Sequence, residues 1–431
     1  MRIFLCFSFV ILLLGLASCG SRPNASASSS EVPIIDVEAA LADLQDGLKL
    51  SDFGSRVRYV PLETSDSCLI GRTQWALWSE SGLLVPSSSM NEVRMYSFDM
   101  ETGRFITNVG HRGEDPKGYK GTLPYYNGCD SLLYFGRRPN QLQKYDYQGN
   151  YHGKIALSSC RTLPYSLLWS DSLWIGYHEA REKAGIAKGR LLSIFSPDGT
   201  LVDTVARPYV FPDYAGREIV RIGTFWIANF GMMSLEVYKD GKVSGSLTAR
   251  QPLWRCDGCV RIKDSFNDTI YSLGEGNVLC PTYVFDYGDK TLDEASRLKG
   301  QSDGKFVTVG VLETSRKIYF LCVDKLFETA GAWRPGSGKL NFEVFAGIYD
   351  KLSGTVQVAP IGEGVVDDIN GFLPFTPRFC GPHGEFVDIL QAYEVVEWLE
   401  AHPEAKDNPR LAPLLKVKEE DNPVVVIVSD K

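Results

Sequence analysis

Met95-Tyr96-Ser97-Phe98-Asp99, closing at Gly103, is the stretch on which the fold turns. It reads as a short strand that ends in an aromatic and runs into a polar turn with glycine. The unit returns at Gln143-Lys144-Tyr145-Asp146 with Gly149, and at Leu192-Ser193-Ile194-Phe195-Ser196 with Gly199. It returns again at Leu235-Glu236-Val237-Tyr238-Lys239 with Gly241, and at Thr282-Tyr283-Val284-Phe285-Asp286 with Gly288. The last copy is Phe345-Ala346-Gly347-Ile348-Tyr349-Asp350 with Gly354. The anchoring aromatics at 98, 145, 195, 238, 285 and 349 are about 47, 50, 43, 47 and 64 residues apart, and propeller blades run roughly 40 to 50 residues.

More strands surround each anchor. Residues 73–78, 82–85, 93–98 and 105–109 give four around the first. Residues 166–169, 173–177, 191–195 and 201–205 give four around the third. Four antiparallel strands make one blade, whose faces are buried only when blades stack around an axis. The six units predict an all-β chain: a six-bladed β-propeller of four-stranded antiparallel blades. A large β-sandwich or a pair of barrels is the competing architecture. The long last step contains 292–299, which reads as a short inserted helix. Arg56-Val57-Arg58-Tyr59-Val60-Pro61-Leu62 alternates like a strand, and Pro423-Val424-Val425-Val426-Ile427-Val428 is an apolar run of the fully buried kind. A ring must join its first and last blades, so one or both of these segments should complete a blade. Short helices are expected near the C-terminus at 390–399 and 411–416, punctuated by Pro403 and Pro409.

The N-terminus carries an export signal. Arg2 is the charged start, 4–16 is an apolar run too short for a membrane span, and Leu16-Ala17-Ser18-Cys19 ends it. Small residues before a cysteine suit signal cleavage and lipid transfer to the Cys19 thiol. Residues 20–31 are small and polar, the composition of a flexible tether. The chain therefore divides into a signal peptide (1–18), a lipidated tether (19–33) and the propeller (34–431). Acyl chains such as palmitate on Cys19 would hold the protein at a membrane, at about 0.8 kcal/mol per buried methylene.

Net charge is −8 across 431 residues, with no Lys/Arg cluster, so nucleic acid is not an expected partner. Aromatics at 12% and 41 glycines favour short strands and tight turns. Of ten cysteines, eight remain beyond Cys6 and Cys19. Most are scattered and read as small buried hydrophobes. Cys256-Asp257-Gly258-Cys259 flanks a two-residue hairpin turn, and reads as a hairpin disulfide or as two inert thiols.

Several segments together resemble the six-bladed β-propeller lipoproteins of Bacteroides-type bacteria, propellers of the NHL and TolB kind. They are Tyr59-Val60-Pro61-Leu62-Glu63-Thr64, Gly110-His111-Arg112-Gly113-Glu114-Asp115-Pro116-Lys117-Gly118-Tyr119, Phe266-Asn267-Asp268-Thr269-Ile270-Tyr271, Asp367-Asp368-Ile369-Asn370-Gly371 and Asp421-Asn422-Pro423-Val424. Where the family usually reads Gly-Gln-Gly-Pro-Gly-Glu-Tyr, this chain has Gly113 to Tyr119. Where the family often reads Asn-Asp-Ile, it has Asp367-Asp368-Ile369. The resemblance implies a fold and an outer-membrane lipoprotein. It implies no reaction. The tether lacks the acidic run of surface-exported relatives, which points to the periplasmic face and leaves surface exposure open.

Local catalytic signatures are missing. The five histidines form no zinc-hydrolase spacing, and no Gly-x-Ser-x-Gly elbow is present. Arg334-Pro335-Gly336-Ser337-Gly338-Lys339 fails as a phosphate loop, because Trp333 and Leu340 stand where Gly and Ser/Thr are required. No cofactor and no metal set is called for. His111, Arg112, Glu114 and Asp115 could touch a ligand near the channel, or their loop could simply fix a blade crossover. Asp367, Asp368 and Asn370 could hold a cation through hard oxygens or could cap turns. The eight tryptophans offer stacking faces, although most should fill the core. The leading expectation is a propeller that binds a glycan, a peptide or an envelope protein. A hydrolase or lyase assembled in the channel is the alternative, and a purely structural envelope part is the third.

Overall fold

In the computed structural model, residues 31–430 are described, apart from 72, 74, 89–92, 121–122, 180–188, 209–217, 229, 241–242 and 328–341. The signal segment, Cys19 and the 334–339 loop lie outside them. Residues from Pro33 onward make one contact unit. It is a succession of antiparallel sheets, mostly four-stranded, in a propeller-like arrangement.

Four sheets are simple meanders. Their strands run through 77–108, 125–156, 166–206 and 307–360, each pairing with the next in the chain. The 253–286 sheet is a meander too, extended by strand Ile34–Asp36, which pairs in parallel with Leu279–Asp286. The sixth sheet joins the two ends of the chain. Its order is Phe379–Cys380, Phe386–Leu390, Val424–Ser429 and Arg56–Pro61. Arg56 lies opposite Ser429 and Pro61 opposite Val424, with the residues between in unbroken antiparallel register. Both terminal segments thus complete one sheet, as ring closure requires. A seventh sheet, through 219–249, has three strands.

This last sheet changes the assignment of the repeat units. The unit anchored at Tyr238 lies on the middle strand of the three-stranded sheet. The unit at Phe285 lies on a fourth strand, whereas Phe98, Tyr145, Phe195 and Tyr349 lie on third strands. Aromatic spacing alone could not tell these strand positions apart. It also passed over the closing sheet, whose strands come from both ends of the chain.

Packing decides which sheets are neighbours. Leu84 and Met95 pack with Leu133, Phe135 and Tyr145 between the first two sheets. Tyr134 and Leu142 meet Trp169, Trp174 and Phe195. Ile175, Tyr177 and Ile194 pack directly on Leu253, Val260 and Ile262. Trp254, Ile270 and Phe285 meet Val311, Phe320 and Tyr349. Val309, Tyr319 and Ile348 share a cluster with Phe386, Val424 and Val428 of the closing sheet. Val387, Val425 and Ile427 pack on Leu83, Val85 and Phe98. Each fully buried side chain of this size contributes about 1.5–3 kcal/mol. Among the described residues, the three-stranded sheet joins the cluster around Val309 and Tyr319, through Ile227, Phe230, Met233, Leu235 and Leu247.

The repeat glycines have a specific duty. Gly199 has φ +89°, and a Cβ there would stand 2.3 Å from the Ala156 carbonyl oxygen of the preceding sheet. Its own carbonyl accepts from Ser158 N at 2.8 Å. Gly103 repeats this against Pro61 of the closing sheet, with φ +70° and a would-be Cβ at 2.1 Å. The turn glycine is therefore where one sheet seats on the one before it.

All eight described cysteines are free thiols. Cys256 and Cys259 are directly opposed across their turn but unbridged, so they take the second of the two forms expected for that hairpin.

Gly199→Ala should combine a strained φ with a backbone clash and destabilise the protein by about 2–4 kcal/mol. Gly354→Ala, with φ +73° and open space around it, should cost about 1 kcal/mol from φ alone. Urea denaturation of both variants checks this. Equal losses would show that the seat between sheets carries no energy.

Candidate functional site

The 111–120 loop links an outer strand of one sheet to the first strand of the next, and it folds on itself. His111 pairs with Asp115, and Glu114 with Lys120. The His111 contact holds the Asp115 carboxyl below its usual range, and Lys120 does the same for Glu114. Asp115 Oδ1 also accepts from Lys117 N and Gly118 N at 3.0 and 3.2 Å. Arg137 reaches up from the sheet to the carbonyls of Glu114, Asp115 and Gly118. Arg112 forms a backbone bridge to Tyr119, whose buried ring stacks on Phe135 at 4.2 Å. His111, Glu114 and Asp115 thus have their ion-pair partners within the loop itself.

Asp367, Asp368 and Asn370 sit on the link into the closing sheet. Buried Asp367 accepts from Ile369 N, Asn370 N and Phe372 N at 3.0, 2.8 and 3.3 Å. The Tyr59 hydroxyl donates to it at 3.3 Å. Burial first, then the Asp367 charge, pushes that hydroxyl far above its usual range. Asn370 Nδ2 donates to Tyr59 Oη at 3.0 Å. Asp368 takes Ser51 N and Oγ at 2.9 and 2.7 Å. Among the described residues, no group of three His, Cys, Asp or Glu could hold a metal ion. Among the described residues no hydrogen bond or ion pair joins this turn to the 111–120 loop.

A third place gathers residues from more of the fold. The first strands of the sheets lie side by side: Ser166–Ser170 sits between Tyr125–Asn127 and Leu253–Cys256, and Val307–Glu313 lies beside Phe379–Cys380. Trp75, Tyr165, Arg250 and Arg378 each precede one of these first strands. They converge at one mouth. The Arg250 guanidinium lies 4.9 Å from the Trp75 ring centroid and 5.9 Å from that of Trp226, on the three-stranded sheet. Burial pulls its pKa down to about 10, with Tyr165 opposing and Arg378 adding to the shift. Tyr165 is pushed up to about 12, by burial first and then by Glu179. Arg378 Nε donates to buried Asp388 Oδ1 at 2.6 Å, and Thr376 N donates to Oδ2 at 2.7 Å. Burial raises the Asp388 pKa, and Arg378 works against the rise. Trp226, beside Arg250, is 54% exposed.

Below the mouth, a polar network ties the 166–206 sheet to the 253–286 sheet. Arg207 Nε pairs with Asp264 at 2.8 Å, and both side chains are almost wholly buried. Tyr177 donates its hydroxyl to the same carboxylate at 2.5 Å. His178 is 2% exposed and shares a 2.8 Å hydrogen bond between Nε2 and Ser193 Oγ. Its Nδ1 has no partner among the described residues.

Sequence reading did not single out Arg250, Arg378 or Tyr165. One signal was present. Arg250-Gln251-Pro252 and Pro377-Arg378 each set an arginine within two residues of a proline just ahead of a first strand.

A family model described as Domain of unknown function (DUF4934) matches residues 32–429. No curated protein matches the chain. Among solved structures, it is similar to a protein of Bacteroides fragilis NCTC 9343 described as exported by inference. The identity is 16% and the TM-score 0.60, over 90% of this chain and 98% of that one. It is also similar to a member of the DUF4221 family from Bacteroides vulgatus ATCC 8482, at 10% identity and TM-score 0.45, over 87% and 96%. A virginiamycin B lyase from Staphylococcus aureus is similar at 8% and 0.35, over 86% and 99%. At these identities the first likeness speaks to fold, and none speaks to activity.

His178 gives the mouth region a pH dependence. Burial first, then Arg190 and Arg207, lowers its pKa from 6.5 to about 4. Between those values the unfolded chain binds the proton and the folded one does not. Its stability contribution is therefore complete above pH 6.5 and is lost as pH falls towards 4. From pH 7.5 to 4.5 the wild type should lose about 2 kcal/mol more than His178→Gln. Denaturant melts at the two pH values check this, and parallel losses would contradict it.

Proposed function

The chain belongs to this family of unknown function, and we propose that it is an exported, lipid-anchored binding protein that takes its ligand at the mouth around Arg250. The observation that carries this is the convergence of Trp75, Trp226, Arg250 and Arg378 from separate sheets, two of them aromatic and two cationic. Aromatic faces and arginines are the side chains that dominate recognition surfaces. The ligand is a glycan, a peptide or a segment of an envelope protein. We assign His111, Arg112, Glu114 and Asp115, and likewise Asp367, Asp368 and Asn370, to shaping the links between sheets around that mouth.

The proposal includes a six-bladed ring. Six buried clusters join six sheets pairwise, and the 166–206 sheet packs directly on the 253–286 sheet. The three-stranded sheet between them in sequence is then an insertion over the mouth, where Phe230 packs on Tyr319 at 5.7 Å. Six first strands end alike in small or polar residues: Ser79, Asn127, Ser170, Cys256, Glu313 and Cys380.

Export and anchoring follow from the Leu16-Ala17-Ser18-Cys19 signal, with the outer membrane as the destination and its periplasmic face preferred. The Bacteroides fragilis structure supports export for a protein of this fold. No helix among the described residues is long and apolar enough to cross a membrane.

The test is a thermal-shift screen of the mature protein against glycans and peptides. A ligand at about a hundred times its Kd should add about 2.7 kcal/mol, and Arg250→Met should abolish that shift. A shift that survives Arg250→Met places the ligand elsewhere. In cells, Cys19→Ala should abolish palmitate labelling.

A further inference from the structure

The Arg378 guanidinium is held from one side only. Its Nε is fixed on Asp388 at 2.6 Å, and Asp388 is locked in turn by Thr376 N and Ile389 N, each at 2.7 Å. Among the described residues neither terminal Nη atom of Arg378 has a hydrogen-bond partner, and the side chain is 16% exposed. A guanidinium with its Nε edge clamped presents its Nη atoms as a preset donor pair. Arg378 stands just ahead of the first strand of the closing sheet, and Trp75, with the Arg250 guanidinium 4.9 Å from its ring, stands just ahead of the first strand of the sheet packed against it. An oxyanion on the Arg378 donors there also meets the Arg250 charge. Beside Arg250 stands the half-exposed indole of Trp226, a flat apolar face.

We propose that the mouth is a receptor for an acidic saccharide. The carboxylate of a uronic-acid unit sits between Arg378 and Arg250, and its sugar ring lies on Trp226. This rests on the mouth being the ligand site. A pyranose that carries its carboxylate on the ring presents the charge and a flat face together, and that combination matches a donor pair set beside an indole. An acidic peptide presents the carboxylate without the flat face, and inorganic phosphate presents charge alone.

The experiment titrates the purified mature protein with trigalacturonate, galactotriose, a peptide ending in glutamate, and inorganic phosphate, followed by tryptophan fluorescence and calorimetry. Trigalacturonate should bind at least roughly tenfold tighter than the other three, because only it fills both the donor pair and the indole face. Its affinity should weaken with salt. Arg378→Lys keeps a cation for Asp388 but loses the donor pair, and should weaken binding by about tenfold or more. Trp226→Ala should do the same with an unchanged melting temperature, since the indole is exposed. Equal binding of galactotriose, or an unaffected Arg378→Lys, overturns the acidic-saccharide inference. If Trp226→Ala still abolishes that binding, the mouth remains the site. Binding of the peptide or phosphate alone also overturns the inference. Binding that neither Arg250→Met nor Trp226→Ala disturbs overturns the mouth reading as well.

Discussion

The structure depends on the pairing of Arg56–Pro61 with Val424–Ser429. These strands come from opposite ends of the chain and pair side by side in one sheet, with Arg56–Pro61 as its outer strand. Val425 and Ile427 pack towards the 77–108 sheet, while Val424, Val426 and Val428 pack towards the 307–360 sheet. One strand therefore seals two interfaces at once. Alternation along a strand is what allows it, since successive side chains face opposite sides. Without this pairing Val424–Ser429 would present an unpaired edge.

The mouth inherits its geometry from that closure. Arg378 stands just ahead of Phe379–Cys380 in the closing sheet, and Trp75 just ahead of Leu77–Ser79 in the neighbouring one. Arg250 arrives from the far side of the chain order, through the three-stranded sheet. A cation held on two indoles and coupled to a second cation needs all three sheets in place. The polar network of Arg207, Asp264 and Tyr177 fixes the neighbouring interface by hydrogen bonds to a buried carboxylate. Such a network is costly if half satisfied, and so it favours one register between the two sheets.

Much of the fold was legible in the sequence because strand period and turn glycines are local signals. The third sheet was read almost strand for strand, and the closing strands were recognised from the alternation at Arg56 and the apolar run at Val424. The three-stranded sheet misled because Tyr238 ends an ordinary alternating strand, and nothing local marks which strand of a sheet it is. The candidate site was less legible. The polar residues that stood out, such as Asp115 and Asp367, stood out because turns need them, and they satisfy nearby backbone groups. Arg250 and Arg378 are 128 residues apart, and only the closed fold brings them together.

Native-state hydrogen exchange at the amides of Arg56–Pro61 and Val424–Ser429 tests the account most directly. Closure predicts that these amides exchange only through global unfolding, with protection matching the full denaturant stability. Exchange through a smaller, local opening would contradict it: the ends would then part while the remaining sheets stayed folded, and the mouth would not be a fixed structure.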